Sequence, residues 1–193
     1  MAINFPEGTQ DFPAKICDMK FAEFAGTQSS YIHSTGDTDG AWDNISNLAI
    51  SHACKSTSNR VLLQYQIGAT ADSNNNDCGN NFRFYNNTDS HHIGVGENSG
   101  NRLRCTTSNN YAGSWTYEYW TFVHYGSYIW HPNSTSTKQY TVQFNPGDAS
   151  GTSNGTHINR ANNRHNVNAS GGDARWMSNT ICTFTLFEIA GSV

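Results

Sequence analysis

The stretch GTSNG, residues 151–155, matches the G-x-S-x-G nucleophile elbow and puts Ser153 in the nucleophile's place. That elbow works by seating its serine on a tight turn from strand to helix. Here THINR follows, which reads as a strand, so the match is expected to be a surface loop. DSNNND (72–77) begins like a calcium loop. The sixth and twelfth positions should be Gly and Glu, and they hold Asp77 and Arg83. His91 and His92 are adjacent, and neighbours on a strand point to opposite faces, so they cannot chelate one ion. His124, His131, His157 and His165 are scattered, without H-x-H or H-E-x-x-H spacing. GVGENSG (94–100) has Ser99 where a dinucleotide-binding loop needs its third glycine. Five N-x-S/T sequons begin at Asn44, Asn86, Asn133, Asn154 and Asn168, about the number that composition alone produces. No convergent set of titratable groups is legible, so an enzyme is not expected, and neither are a metal and a cofactor.

The cysteines give no framework either. Cys17, Cys54, Cys78, Cys105 and Cys182 are odd in number, widely spaced and free of any C-x-x-C pair. They are expected to be free thiols acting as small buried apolar residues. The aromatic residues are the remaining candidates. Trp115, Trp120 and Trp130 crowd residues 111–130 with several tyrosines, Tyr119 among them. Such a cluster serves either a core and subunit interface or a sugar-stacking platform. Trp115 and Trp130, placed beside loops, are the candidates for glycan contact. Trp120 and Tyr119 read as packing.

These residues must be positioned by strands. The chain has 193 residues, 24 Asn, 20 Ser and 19 Thr, and only 13% charged residues. Asn, Ser and Thr compete for local backbone groups and disfavour helix interiors, whereas turns accept all three and strands accept Thr. No run carries helical periodicity. Strands are expected over 15–25, 60–68, 81–85, 91–96, 102–105, 117–125, 138–144, 156–159 and the closing TICTFTLFEIAG, with 42–50 ambiguous. Within RVLLQYQIG, Val61, Leu63, Tyr65 and Ile67 share one face. Within KQYTVQF, Tyr140, Val142 and Phe144 oppose Thr141 and Gln143. Turn-rich stretches such as TTSNNYAGS separate them. The expected fold is all-β: one antiparallel jelly-roll sandwich over 15–193, preceded by an extended N-terminal arm over 1–14.

Composition also narrows the partners. The formal net charge is −4 and no basic stripe exists, so nucleic acid is not an expected partner. No apolar run is long enough to span a bilayer, and MAINFPEGTQDFP lacks the basic and apolar regions of a signal peptide. Synthesis in a cytoplasm is expected.

Several segments occur together in order: STSNRVLLQYQIG, HHIGVG followed by GNRLRCT, HPNSTSTKQYTVQF, GTHINR, and TICTFTLFEIAG. As a set, with the opening INFPEGTQ, they resemble a group of phage virion proteins common in marine phages. Such proteins carry a compact β-sandwich head, have an SPNTTS-like loop before a Tyr-containing strand, and end on TLxEI. The aromatic 111–130 stretch departs from that pattern. The group is similar to the trimeric jelly-roll heads of the tumour-necrosis-factor and complement type. The resemblance implies a homotrimer with a structural or adhesive role on the virion surface and no catalytic residues.

Physical chemistry limits that role. A long fibre needs a repetitive shaft, and the chain has no heptad run, collagen period or internal repeat. The arm spans at most roughly 50 Å when extended. Ile3, Phe5 and Phe12 are its apolar anchors, expected to clamp onto a capsid or other virion protein. The first expectation is therefore a capsid decoration protein or short head fibre. The alternative is a tail-fibre or receptor-binding component, an adhesin that binds a host surface glycan. In the closing strand, Ile181, Thr183, Thr185, Phe187 and Ile189 face one way and Cys182, Phe184, Leu186, Glu188 and Ala190 the other. Neither face is properly polar, which suits a central strand between a core and a neighbouring subunit. Phe184 and Leu186 are assigned to the core, and Phe187 and Ile189, with Tyr119, to the trimer interface; the alternation alone also allows the two faces of the strand to be exchanged.

Overall fold

A computed structural model describes residues 15–30, 42–72, 77–97, 103–112, 121–146, 155–159 and 180–191. The arm anchors Ile3, Phe5 and Phe12 lie outside these residues, as do Ser153, Trp115, Tyr119 and Trp120. Among the described residues there are strands and no helix: β1 (Ile16–Phe24), β2 (Gln28–Ser30), β3 (Asp43–His52), β4 (Arg60–Asp72), β5 (Asp77–Asn86), β6 (His91–Ile93), β7 (Thr107–Ala112), β8 (Phe122–Trp130), β9 (Lys138–Asn145), β10 (Gly155–Ile158) and β11 (Cys182–Ile189).

Every pairing is antiparallel, in two sheets packed face to face. In the first sheet β4 pairs with β8 on one edge, while β11 and then β10 follow end to end along the other. Beyond them β1 pairs β11 and β2 pairs β10. The sheet is thus four strands wide, β8-β4-β11-β1, with β10 and β2 continuing its last two rows. The second runs β3-β9-β5, with β6 and β7 sharing the far edge of β5. This is a β-sandwich, as the composition and alternation predict.

Asn159 joins the two collinear rows. It is fully buried with φ 61°, a left-handed conformation that Asn tolerates. Its backbone N donates to Gly68 O, and its side-chain Nδ2 donates to Phe24 O (2.6 Å) and Gly26 O (3.0 Å). Its Oδ1 accepts from Thr180 Oγ1 and Cys182 Sγ. One side chain therefore satisfies groups belonging to the ends of β1 and β11 where the ladders break.

The core forms where the inner faces meet. Val61, Leu63, Tyr65 and Ile67 of β4 lie opposite Phe82 and Phe84 of β5 and Tyr140, Val142 and Phe144 of β9, all buried. Tyr65 sits 4.8 Å from Phe84 between ring centroids, in a tilted arrangement. Gly126, its cross-strand partner, leaves room for the tyrosine: an added Cβ would stand 2.2 Å from Tyr65 Cζ. Phe184 and Leu186 of β11 complete this layer at 0% exposure, on the face the alternation assigns to the core.

Several expectations fail for identifiable reasons. RLRC was expected as a strand, but residues 103–105 are irregular. The strand comes next, at β7, inside the stretch read as a turn. It has no apolar alternation of its own and takes its conformation from six paired positions along β5. HHIGVG is a strand only over β6, and the expected 117–125 strand appears as β8, extending to Trp130. Ambiguous 42–50 is β3, whose buried Ile45, Leu48, Ile50 and His52 are not evenly spaced. A bulge between Asn44 and Ala49, with Asn47 at φ 59°, inserts residues and shifts the alternation. That bulge also covers β9. Thr141 and Gln143, on the face opposite Tyr140, Val142 and Phe144, are buried as well: Thr141 Oγ1 donates to Leu48 O, and Gln143 bonds both Arg83 Nε and Asn44 Oδ1. The Arg83 guanidinium lies 4.1 Å from the centre of the Trp42 ring. Among the thiols, Cys54 and Cys182 are buried as expected, whereas Cys17 and Cys105 are only partly so.

Candidate functional site

Two places concentrate chemistry. The first is the outer face of the β8-β4-β11-β1 sheet. Strand pairing aligns Met19, Phe187, Leu62 and Ile129 in one row across all four strands. Met19 and Ile129 are more than half exposed. The adjoining row is Phe21, Thr185, Gln64 and Ser127, and the next Glu23, Thr183, Gln66 and Tyr125. Phe21, Tyr125 and, beyond them, Val123 and Ile181 are also exposed. Glu23 and Arg60 supply the charge on this face among the described residues. The middle of the sheet forms an open groove of about 310 Å³, lined by Gln64, Gln66, Tyr125, Ser127, Thr183 and Thr185 among others. Its polar groups are neutral amides and hydroxyls. Soluble monomers rarely leave a contiguous apolar row of this kind in water.

The second place is buried at the end of β11. Glu188 shares the core face with Phe184 and Leu186 yet is 0% exposed. Its Oε1 accepts from Lys55 N (2.7 Å) and Asn59 Nδ2 (2.5 Å), and its Oε2 lies 3.0 Å from His52 Nε2. His52 Nδ1 faces Asp18 Oδ2 at 3.7 Å. Burial by itself would raise the Glu188 pKa. The hydrogen bonds from Asn59, Lys55 N and His52, with the attraction of the imidazole, outweigh it and hold the carboxyl below its ordinary value. Cys54 borders the same group and is buried. Desolvation first, and the Glu188 charge second, push its thiol up to about 11. Asn59 also accepts Gly191 N through Oδ1, so the loop after β3 is stitched to both sides of the β11 terminus.

Of the residues singled out in the sequence, Phe187 and Ile189 are partly exposed on β11, on the face away from the core. Trp130 ends β8, packs against the core, and sits 5.2 Å from the His91 ring. His91 and His92 lie side by side on β6. The cluster of His52, Cys54 and Glu188 went unnoticed in the sequence. Its one local signal is the H-x-C at 52–54, and Cys54 lies just past the end of β3, in the loop that follows. The third member lies 136 residues beyond His52. No protein-family model matches this chain, and no curated protein matches it.

Proposed function

We propose that this protein is a non-enzymatic structural protein of a phage virion, a homotrimeric capsid decoration or cement protein or a short head fibre on the particle surface. The observation that carries this reading is the apolar row Met19, Phe187, Leu62 and Ile129 on a sheet face otherwise nearly free of charge. Such a face is stable in water when a second copy covers it. Counting β6 and β7 as one row, the eight principal strands run first, eighth, third and sixth in one sheet and second, seventh, fourth and fifth in the other. That order supports the jelly roll implied by the resemblance to trimeric virion heads. The major capsid protein, or another virion protein, is the partner proposed for the arm through Ile3, Phe5 and Phe12. Sedimentation velocity of the purified chain at micromolar concentration tests the assembly: a trimer is expected, and a monomer overturns it. Antibody labelling of intact particles then tests the location, with label on the head expected.

A second reading is favoured by the groove around Tyr125, whose amides and hydroxyls suit a sugar better than an ion. In that case the protein is a tail-fibre or receptor-binding component. Glycan binding lost in Tyr125→Ala, Trp115→Ala or Trp130→Ala, with label on the tail, would replace the first reading by this one. Hydrolase activity abolished by Ser153→Ala would instead restore an enzyme.

A further inference from the structure

The geometry points to a divalent-cation site of the zinc class, built from His52 Nε2, Cys54 Sγ and Glu188 Oε2. One ring nitrogen of His52, the Cys54 Sγ and one carboxylate oxygen of Glu188 all lie within 4.8 Å of one another, His52 Nε2 and Glu188 Oε2 are 3.0 Å apart, and all three residues are buried. Nitrogen, sulfur and carboxylate oxygen together select a borderline-soft metal over calcium or magnesium, which take oxygen donors. The surroundings are those of a held site. Lys55 N and Asn59 Nδ2 both bond Glu188 Oε1, which fixes the carboxylate and leaves Oε2 directed at His52. The other ring nitrogen of His52 faces the Asp18 carboxylate, the arrangement that orients a metal-bound imidazole. Charge favours it as well. A neutral imidazole, a thiolate and a carboxylate cancel a dication, so the loaded site is electrically neutral in a place where net charge is expensive. Binding releases the Cys54 thiol proton to solvent, and the cation takes the place of the hydrogen between His52 and Glu188 while the neutral imidazole keeps its one proton on Nδ1, facing Asp18.

The ligands come from the end of β3, the loop after it and the end of β11. A cation there ties the closing strand to the β3 loop, a structural role matching an enclosed site. It adds to the virion reading without depending on it.

The test uses the full chain after chelation, titrated with cobalt(II) and then zinc(II). One equivalent of cobalt per chain is expected, with a near-ultraviolet thiolate-to-cobalt charge-transfer absorption that zinc abolishes, and a melting temperature that rises with zinc. Cys54→Ser should lose the absorption and His52→Gln should weaken binding, while Cys17→Ser and Cys105→Ser retain both. Failure to bind cobalt or zinc, or an unchanged absorption in Cys54→Ser, overturns the site. X-ray absorption of the zinc-loaded natural chain decides the matter even if Cys54→Ser does not fold. One sulfur near about 2.3 Å with nitrogen or oxygen near about 2.0 Å is expected, and a shell without sulfur overturns it.

Discussion

At the scale of single residues, buried polar side chains hold together what the apolar core leaves open. Asn159 is the clearest case, because its side chain bonds to β1, to the turn after it and to the start of β11. Asn159→Ala should cost about 2–4 kcal/mol, from several buried groups left without partners together with a left-handed backbone that Ala resists. Asn159→Gly should recover only the backbone part, so denaturant melts of both variants separate the two contributions. His124 acts in the opposite sense. It is buried against Phe82, and among the described residues its Nε2 has no partner. Desolvation lowers its pKa to about 4. The unfolded chain therefore binds a proton that the folded chain refuses, and stability falls as pH drops from about 6.5 toward 4, by about 3 kcal/mol in all. From about pH 4.5 downward Glu188 adds to the loss, since its lowered pKa contributes stability only while it stays ionised. His124→Phe should flatten the upper part of this dependence in melts followed from pH 7 to about 4 and leave the lower part.

At the scale of elements, β11 is the strand on which the first sheet depends. It lies between β1 and β4, buries Phe184 and Leu186, and carries Glu188. A chain ending at Asn179 should not fold, because β1 would lose the strand it pairs with among the described residues and the core would lose Phe184 and Leu186; a cooperative melt from that truncated chain would refute this. The alternation of β11 is a local property, so the sequence showed that Phe184 and Leu186 share a face, while the packing decided that this face is the core. β3 was less readable, because its bulge changes the spacing of buried residues from two to three. β7 was not readable at all, since Thr, Ser and Asn become a strand there through pairing with β5.

At the scale of the whole molecule, the proposed trimer would be closed by the outer face of the first sheet. Phe187→Asp or Ile129→Asp places a charge in the apolar row without touching the core. Each should shift sedimentation from trimer toward monomer while preserving the β circular dichroism spectrum, with affinity lowered at least about tenfold per site. A trimer unchanged in both variants would move the interface to another surface.

By itself the sequence determined that this chain is all-β and that β4, β9 and β11 each gather large apolar side chains on one face. These are consequences of periodicity and backbone preference, which act over a few residues. Only the tertiary structure decided that Thr141 and Gln143 are covered, that four apolar side chains from four strands form one row, and that Glu188 meets His52 and Cys54. Each of these depends on which strands pair and in what register. Register is set by the packing of residues far apart in the chain, from 93 positions between Leu48 and Thr141 to 136 between His52 and Glu188, which no short window of sequence contains.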